Sequence, residues 1–214
     1  MQTRRPWLRR ASVTAVSAAA LVAMAAPADA ATTSRASTAV TATATTSAAA
    51  DVDYGTWQKD CQAVMDQALP YLKQRIAATK PGEKQAIVFD IDNTTLETDF
   101  GFSYPQPANK PVLEAARYAQ ERGVALFFVT ARPDIIASFT QYNLNQAGYQ
   151  VSGLYVRNFI DLFKNVADYK TAQRVDIERK GYTIIANIGN SGTDLSGGHA
   201  ERTYKLPDYD GQLS

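Results

Sequence analysis

The sequence is poor in the side chains that most enzymes recruit for acid–base and metal chemistry. Among 214 residues there is one cysteine, Cys61, and one histidine, His199. A single Cys excludes an intramolecular disulfide framework and a multi-Cys zinc site, and a single His excludes a His-rich metal centre or a His–His acid–base pair. There is no internal repeat and no basic stripe, the 22 basic residues being matched by 21 acidic ones, so nucleic-acid binding driven by counterion release has no support. Long apolar runs are also missing. The longest weakly apolar stretch, Ala11 to Ala26, falls short of the roughly 20 strongly apolar residues that a membrane-spanning helix needs. Catalysis in this chain therefore rests mainly on carboxylates, hydroxyls, Lys and Arg. What is present, 45% hydrophobic residues, suffices for one globular domain with a real core.

The first fifty residues differ in composition from the rest. Arg4, Arg5, Arg9 and Arg10 precede the Ala-rich stretch, and Ala28-Asp29-Ala30 supplies a small-x-small cleavage pattern. Residues 1–30 are thus expected to be a secretory signal peptide cut after Ala30, with an uncleaved anchor as the alternative. Arg4-Arg5-Pro6-Trp7-Leu8 also resembles a twin-arginine export signal, so either general or twin-arginine export is open. No Cys lies near the cut, which leaves no lipid anchor and, after cleavage, no stable membrane attachment. Residues 31–50 consist almost wholly of Ala, Thr and Ser, too little apolar bulk to offset the entropy of ordering, and read as a flexible linker. The first thirty residues carry four Arg and one Asp, so the remainder holds 18 basic against 20 acidic residues, net −2. An acidic surface does not attract polyanions.

Residues 51–214 form the expected folded domain. Trp57, Cys61, Val64, Ala68, Leu72 and Ile76 fall at helical spacing, with Pro70 expected to kink or split the helix. Apolar strands are expected at Ala86–Phe89, Val124–Val129, Val151–Val156 and Thr183–Ile188. Between them lie helices Pro111–Arg122, Asp134–Ala147 and Val166–Lys180, each followed directly by Gly (Gly123, Gly148, Gly181). Thr203 to Leu206 offers a last edge strand. Apolar strands alternating with helices predict an α/β fold, a doubly wound and mostly parallel Rossmann-like sheet with an N-terminal helical segment.

Three strands run into polar clusters: Asp90-Ile91-Asp92-Asn93-Thr94, Thr130-Ala131-Arg132, and Gly189-Asn190-Ser191-Gly192-Thr193-Asp194. Ligands of open α/β sheets bind beyond the carboxyl ends of strands, where a parallel sheet brings all three together. Asp90 and Asp92, two apart in an extended segment, point the same way and repel unless a cation sits between them or one is protonated. An oxygen-only donor set suits Mg²⁺. The plainer reading is a turn-capping Asp beside a solvated one.

The stretch Asp90 to Thr95 after an apolar strand resembles the first motif, DxDxT, of the haloacid dehalogenase superfamily of phosphohydrolases. Thr130 resembles its second motif, Lys170 its third, and Gly189-Asn190 with Asp194 its fourth. FDIDNTTLET, VTARP, Tyr169-Lys170 with Arg174 downstream, and the Asp194-Leu195-Ser196-Gly197-Gly198 end look most like the secreted acid phosphatases of the plant and bacterial class B type. Some fourteen residues, Glu97 to Lys110, form only a short cap insertion. The resemblance implies an aspartyl-phosphate mechanism: Asp90 attacks phosphorus, and Asp92 donates a proton to the leaving alcohol and later activates water. It also implies phosphate contacts from Thr130, the Ala131 backbone and Lys170, and Mg²⁺ on Asp90, the Asp92 carbonyl and the fourth motif. The substrate would be a small phosphomonoester, and activity would favour acid pH because Asp92 must be protonated at attack. Asn190 departs from the Asp common at that place, and either Asn190 through its amide oxygen or Asp194 is the direct ligand.

The remaining candidates keep two readings each. Arg132 either binds substrate phosphate or is structural; Lys170 could also be a solvated helix lysine. His199 is a pocket-edge or an exposed loop residue, and Cys61 a small core residue rather than a reactive thiol. Phe100, Phe102 and Tyr104 either roof the pocket or pack the cap loop down. Transfer of the phosphoryl group to an acceptor alcohol, and a non-catalytic storage or binding role on the same fold, are the alternative functions.

Overall fold

The computed structural model describes residues 52–213 with the exception of Phe102. The expected signal peptide and linker lie outside the described residues. Among the described residues no helix is long and apolar enough to cross a membrane.

Helix α1 (Tyr54–Ala77) starts on an Asp53 cap whose carboxylate accepts the Thr56 N–H. Its buried residues Trp57, Cys61, Met65, Ala68, Leu72 and Ile76 step by three and four along one stripe. Pro70 does not split it; the helix runs through the proline to Ala77. The stripe explains this: Leu72 and Ile76, beyond the proline, are as firmly packed as Trp57 and Cys61 before it. Pro70 itself is exposed, so burial on the opposite side holds the helix across the missing hydrogen bond.

Five strands form one wholly parallel sheet in the order β3-β2-β1-β4-β5. They are β1 (Lys84–Phe89), β2 (Ala125–Pro133), β3 (Val151–Arg157), β4 (Tyr182–Gly189) and β5 (Thr203–Lys205). Helices α2 (Lys110–Gln120), α3 (Ala137–Ala147) and α4 (Val166–Arg179) connect the first four, and a short α5 (Gly192–Leu195) follows β4. One face of the sheet, including Ile87, Phe89, Leu126 and Phe128, packs with α1 and α2; the other, with Ala86, Val88, Phe127 and Val129, packs with Tyr169 and Ile177 of α4. This is the doubly wound α/β arrangement that the alternation of strands and helices predicts. The short helix α5 was not foreseen, and β2 extends through Thr130 to Pro133 where a loop was expected.

An irregularity in β4 shapes the site. The pairing register with β1 shifts between Ala86 and Ile87, so that Ile184 and Ala186 oppose adjacent residues. Parity reverses at this extra residue: Ile184 belongs to the α4 face, whereas Ala186 and Ile188 belong to the α1 face. Asn187 is thereby turned toward α5, and its amide donates to the Asp194 carbonyl at 2.9 Å. The chain leaves β1 toward β2 and β3, then returns to β1's other side as β4, which makes the carboxyl end of β1 the switch point of the sheet.

Pro70→Ala restores a helix hydrogen bond at an exposed position. The roughly 3 kcal/mol helix penalty of Pro, less the entropy it removes from the unfolded chain, leaves an expected gain of about 1–2 kcal/mol. The gain would be read as a higher denaturant midpoint at constant slope.

Candidate active site

Asp90 follows β1 directly, and its N–H donates to the Ile188 carbonyl of β4 at 3.0 Å. The chain then coils tightly. The N–H groups of Thr94, Thr95 and Leu96 all converge on the Ile91 carbonyl at 3.0–3.2 Å, and Asn93 adopts a left-handed backbone (φ 51°) that Asn tolerates better than most residues. This coil puts Asp90 and Asp92 on a cavity of about 380 Å³, also lined by Ala131, Lys170, Asn190 and Asp194. The three polar clusters thus meet at one sheet edge.

Lys170 projects from α4 into the back of the cavity, buried to 3% exposure. Its ammonium lies 2.6 Å from Asp90 Oδ1 and 2.5 Å from Asp194 Oδ1. One cation between two buried carboxylates leaves a formal charge of −1. Burial, together with the neighbouring Asp194, outweighs the attraction of Lys170 and pushes the Asp90 carboxyl up to about 6. Burial works against the Lys170 charge, but Asp90 and Asp194 overcome it and the net direction is upward. Lys170 is therefore no solvated helix lysine.

Asp194 is fixed from behind. It stands in a capping box on α5, its Oδ2 accepting the Ser191 N–H at 2.8 Å. Its carbonyl accepts from Asn187 and from Arg174 Nη1 (2.7 Å), while other Arg174 nitrogens reach the Ser196 and Gly198 carbonyls. The loop also needs Gly189: a Cβ there would lie 2.4 Å from Asp194 Cβ. Arg174 is buried and staples the loop that follows β4.

Arg132 does not reach into the cavity; it lies across Asp92. Its Nε and Nη2 meet Asp92 Oδ2 and Oδ1 at 3.0 and 2.7 Å, and it also contacts Gln106 Oε1 and Thr140 Oγ1. Thr98 Oγ1 adds a bond to Asp92 Oδ1 at 2.9 Å. Thr130 is fully buried beside the cavity, its hydroxyl accepting the Arg132 N–H at 3.2 Å. Ala131 lines the cavity.

Among the described residues no group of three or more His, Cys, Asp and Glu is arranged to hold a metal ion. The polar groups around the cavity are engaged unequally. Both Asp194 oxygens are engaged, by Lys170 and the Ser191 N–H, while Asp90 Oδ2 has no donor among the described residues. Asn190 presents its amide oxygen to Thr94 Oγ1 at 3.3 Å and its amide nitrogen to the Leu213 carbonyl at 2.5 Å. The remaining donors, a carboxylate oxygen, an amide oxygen and main-chain carbonyls, are all hard oxygens and fit a hard divalent cation.

The other candidates are placed away from this cluster. His199 makes a 2.6 Å contact with Glu178 on the surface. Cys61 is buried in the α1 stripe, and burial pushes its thiol up to about 12. Phe100 stacks on Trp57 at 4.3 Å and packs the cap loop down, whereas Tyr104 stays exposed against Tyr142 and Phe139; Phe102 lies outside the described residues. Sequence reasoning placed Asn93 in the first polar cluster without a role, and missed Thr98 and Leu213 as neighbours of the site. Asn93 carried a signal, since an Asn in a tight polar turn marks a left-handed position.

The same scaffold occurs in the class C acid phosphatase from Bacillus anthracis, which superposes with a TM-score of 0.54 at 17% identity over 68% of this chain and 67% of that one. The family match places the protein in the haloacid dehalogenase (HAD) class. Residues 9–212 match the description HAD superfamily, subfamily IIIB (acid phosphatase), and the chain belongs to that family. It is 33% identical over 119 residues to the stem 28 kDa glycoprotein of Glycine max, covering 54% of this chain and 47% of that protein. A stem 31 kDa glycoprotein of the same plant is 26% identical over 174 residues, covering 71% of this chain and 67% of the other. The chain spans about half the length of the first of these relatives.

The raised Asp90 carboxyl makes a stability prediction. Its folded value near 6 exceeds the unfolded one, so the stabilisation from the bound proton is full below about pH 4 and is lost as pH rises through about 6. In metal-free buffer the protein should lose thermal stability between pH 4 and 6.5. Asp90→Asn, which carries no titrating charge, should lack that slope and melt higher than the parent at pH 7.

Proposed function

We propose that this protein is a secreted, Mg²⁺-dependent acid phosphatase that hydrolyses small phosphomonoesters through an aspartyl phosphate on Asp90. The observation that carries this reading is the Lys170 ammonium held between Asp90 and Asp194 on a cavity at the switch point of the sheet. Family membership supports the reaction class.

In the first step an Asp90 oxygen attacks phosphorus in line. The bond from phosphorus to the ester oxygen breaks, and the proton of Asp92 passes to the departing alkoxide. In the second step Asp92 takes a proton from water, whose oxygen attacks phosphorus; the phosphorus–Asp90 bond breaks and phosphate leaves. Lys170 offsets charge on Asp90 and on the phosphoryl oxygens, and the Thr130-Ala131 backbone supplies N–H donors beside the cavity. Arg132 and Thr98 hold the Asp92 carboxyl in place at the lip.

The residues that would hold Mg²⁺ are Asp90, the Asp92 carbonyl and Asn190, with Asp194 behind them orienting Lys170. When bound, the cation supplies positive charge against the phosphoryl oxygens. Asn190 Oδ1 accepts only the Thr94 hydroxyl at 3.3 Å, whereas the Asp194 oxygens accept from donors at 2.5 and 2.8 Å, which supports Asn190 as the direct ligand. One full carboxylate with neutral oxygens makes a weak cation site, which substrate phosphate would complete.

A non-catalytic storage or binding role on the same fold is the second reading. Hydrolysis of a chromogenic phosphate ester by the purified chain separates the two. Turnover is expected on the acid side of neutrality, falling by about a thousandfold or more in Asp90→Asn and by a comparable factor with chelator. A parent no faster than Asp90→Asn would exclude the enzyme, and a chelator-insensitive rate would exclude the cation.

A further inference from the structure

We propose that the segment after β5 is a latch on the cation site, and that the Leu213 carbonyl fixes Asn190 as an oxygen donor. The inference rests on the reading of Asn190 as a ligand. It starts from an amide whose two ends differ: whichever atom is tied down decides which atom faces a cation.

The Leu213 carbonyl oxygen accepts two side-chain donors, Asn190 Nδ2 at 2.5 Å and Asn93 Nδ2 at 3.1 Å. One main-chain oxygen thus joins the loop after β1 to the loop after β4, at residues adjacent to or within the proposed ligand set. With its nitrogen held there, the Asn190 amide can offer a cation only its oxygen. Asn93 is held equally firmly: its Nδ2 also meets Asp99 Oδ2 at 2.7 Å, and its Oδ1 accepts the Asp99 N–H at 3.0 Å.

The segment is built to deliver that carbonyl. Leu206 is buried and its N–H donates to the Gly189 carbonyl at 2.9 Å. Lys205 Nζ reaches the Asn190 carbonyl at 2.6 Å and Asp208 at 2.9 Å. The chain then reverses through Tyr209 and Asp210, both left-handed (φ 49° and 56°), a conformation that side-chain-bearing residues hold only where their surroundings enforce it. Tyr209 is tied by its hydroxyl to Asp60 of α1 at 2.7 Å. Leu213 returns its N–H to the Asp208 carbonyl at 3.1 Å and buries its side chain in the α1 core.

The latch accounts for Asn, rather than Asp, at position 190. A carboxylate has no N–H to give, and would set one of its oxygens against the Leu213 carbonyl oxygen at hydrogen-bond range. Asn190→Asp would add charge to the cation site while expelling the segment that orders it.

The test uses the full chain and two readouts, amide hydrogen exchange over residues 206–213 and the affinity for Mg²⁺ by calorimetry in the presence of inorganic phosphate. Leu213→Ala removes the apolar anchor and should speed exchange and weaken Mg²⁺ binding by roughly tenfold, the scale of a lost supporting contact to a metal ligand. Leu213→Met keeps the anchor and should change neither. Asn190→Asp should speed exchange in metal-free buffer with the rest of the domain still protected. Unchanged exchange in Asn190→Asp, or Leu213→Ala that frees the segment yet binds Mg²⁺ as tightly as the parent, would overturn the latch alone. A parent that takes up no Mg²⁺ would overturn the cation reading and the latch with it.

Discussion

The structure depends on one buried ammonium shared by two carboxylates. Lys170 stands between Asp90 and Asp194 with almost no access to solvent, where an unpaired charge would cost several kcal/mol. The three residues come from α4, the end of β1 and α5, so their meeting fixes the relative placement of all three elements. The remaining polar groups nearby follow from that requirement. Asp194 must stand still, so Ser191 caps it, and Arg174 and Asn187 hold its carbonyl. A bare Gly189 lets it approach the strand.

The same constraint explains the irregularity in β4. A strand buried on both faces shows apolar residues to each side in turn. β4 meets that demand and must also turn Asn187 toward α5. One extra residue opposite Ala86 and Ile87 satisfies both. The deviation sits in the strand beside the switch point, and the polar contact it secures leads directly to the lysine triad.

Much of this architecture was legible in the sequence. β1 and β4 ended where apolar runs met polar clusters, α3 ended at Gly148, and Gly181 and Gly123 follow closely on the ends of α4 and α2, because burial and backbone freedom are local properties written in local residues. The meeting of Asp90, Asp92, Lys170, Asn190 and Asp194 followed from parallel topology and from a family resemblance. Other features were not legible because they depend on distant partners. Pro70 reads as a break, yet the buried stripe on the far side of α1 carries the helix through it. Arg132 reads as a possible phosphate ligand, but its guanidinium is on Asp92, Gln106 and Thr140, whose convergence only the folded cap loop creates. Nothing local marks Leu213 as the neighbour of Asn93 and Asn190, which lie 120 and 23 residues away.

Asp90 and Asp92 are two residues apart but are anchored to different elements. Asp90 is tied to α4 and, through Lys170, to α5, both packed at the carboxyl end of the sheet. Asp92 is tied to Thr98 and, through Arg132, to Gln106 of the cap loop and Thr140 of α3. The Asp90 side and the Asp92 side of the cavity therefore rest on different elements of one compact unit. Sequence drift in residues 97–106 and along α3 can remodel the approach to Asp92 while the lysine triad stays as it is. A lineage carrying this fold can reshape the Asp92 side of the cavity and leave its charged centre undisturbed.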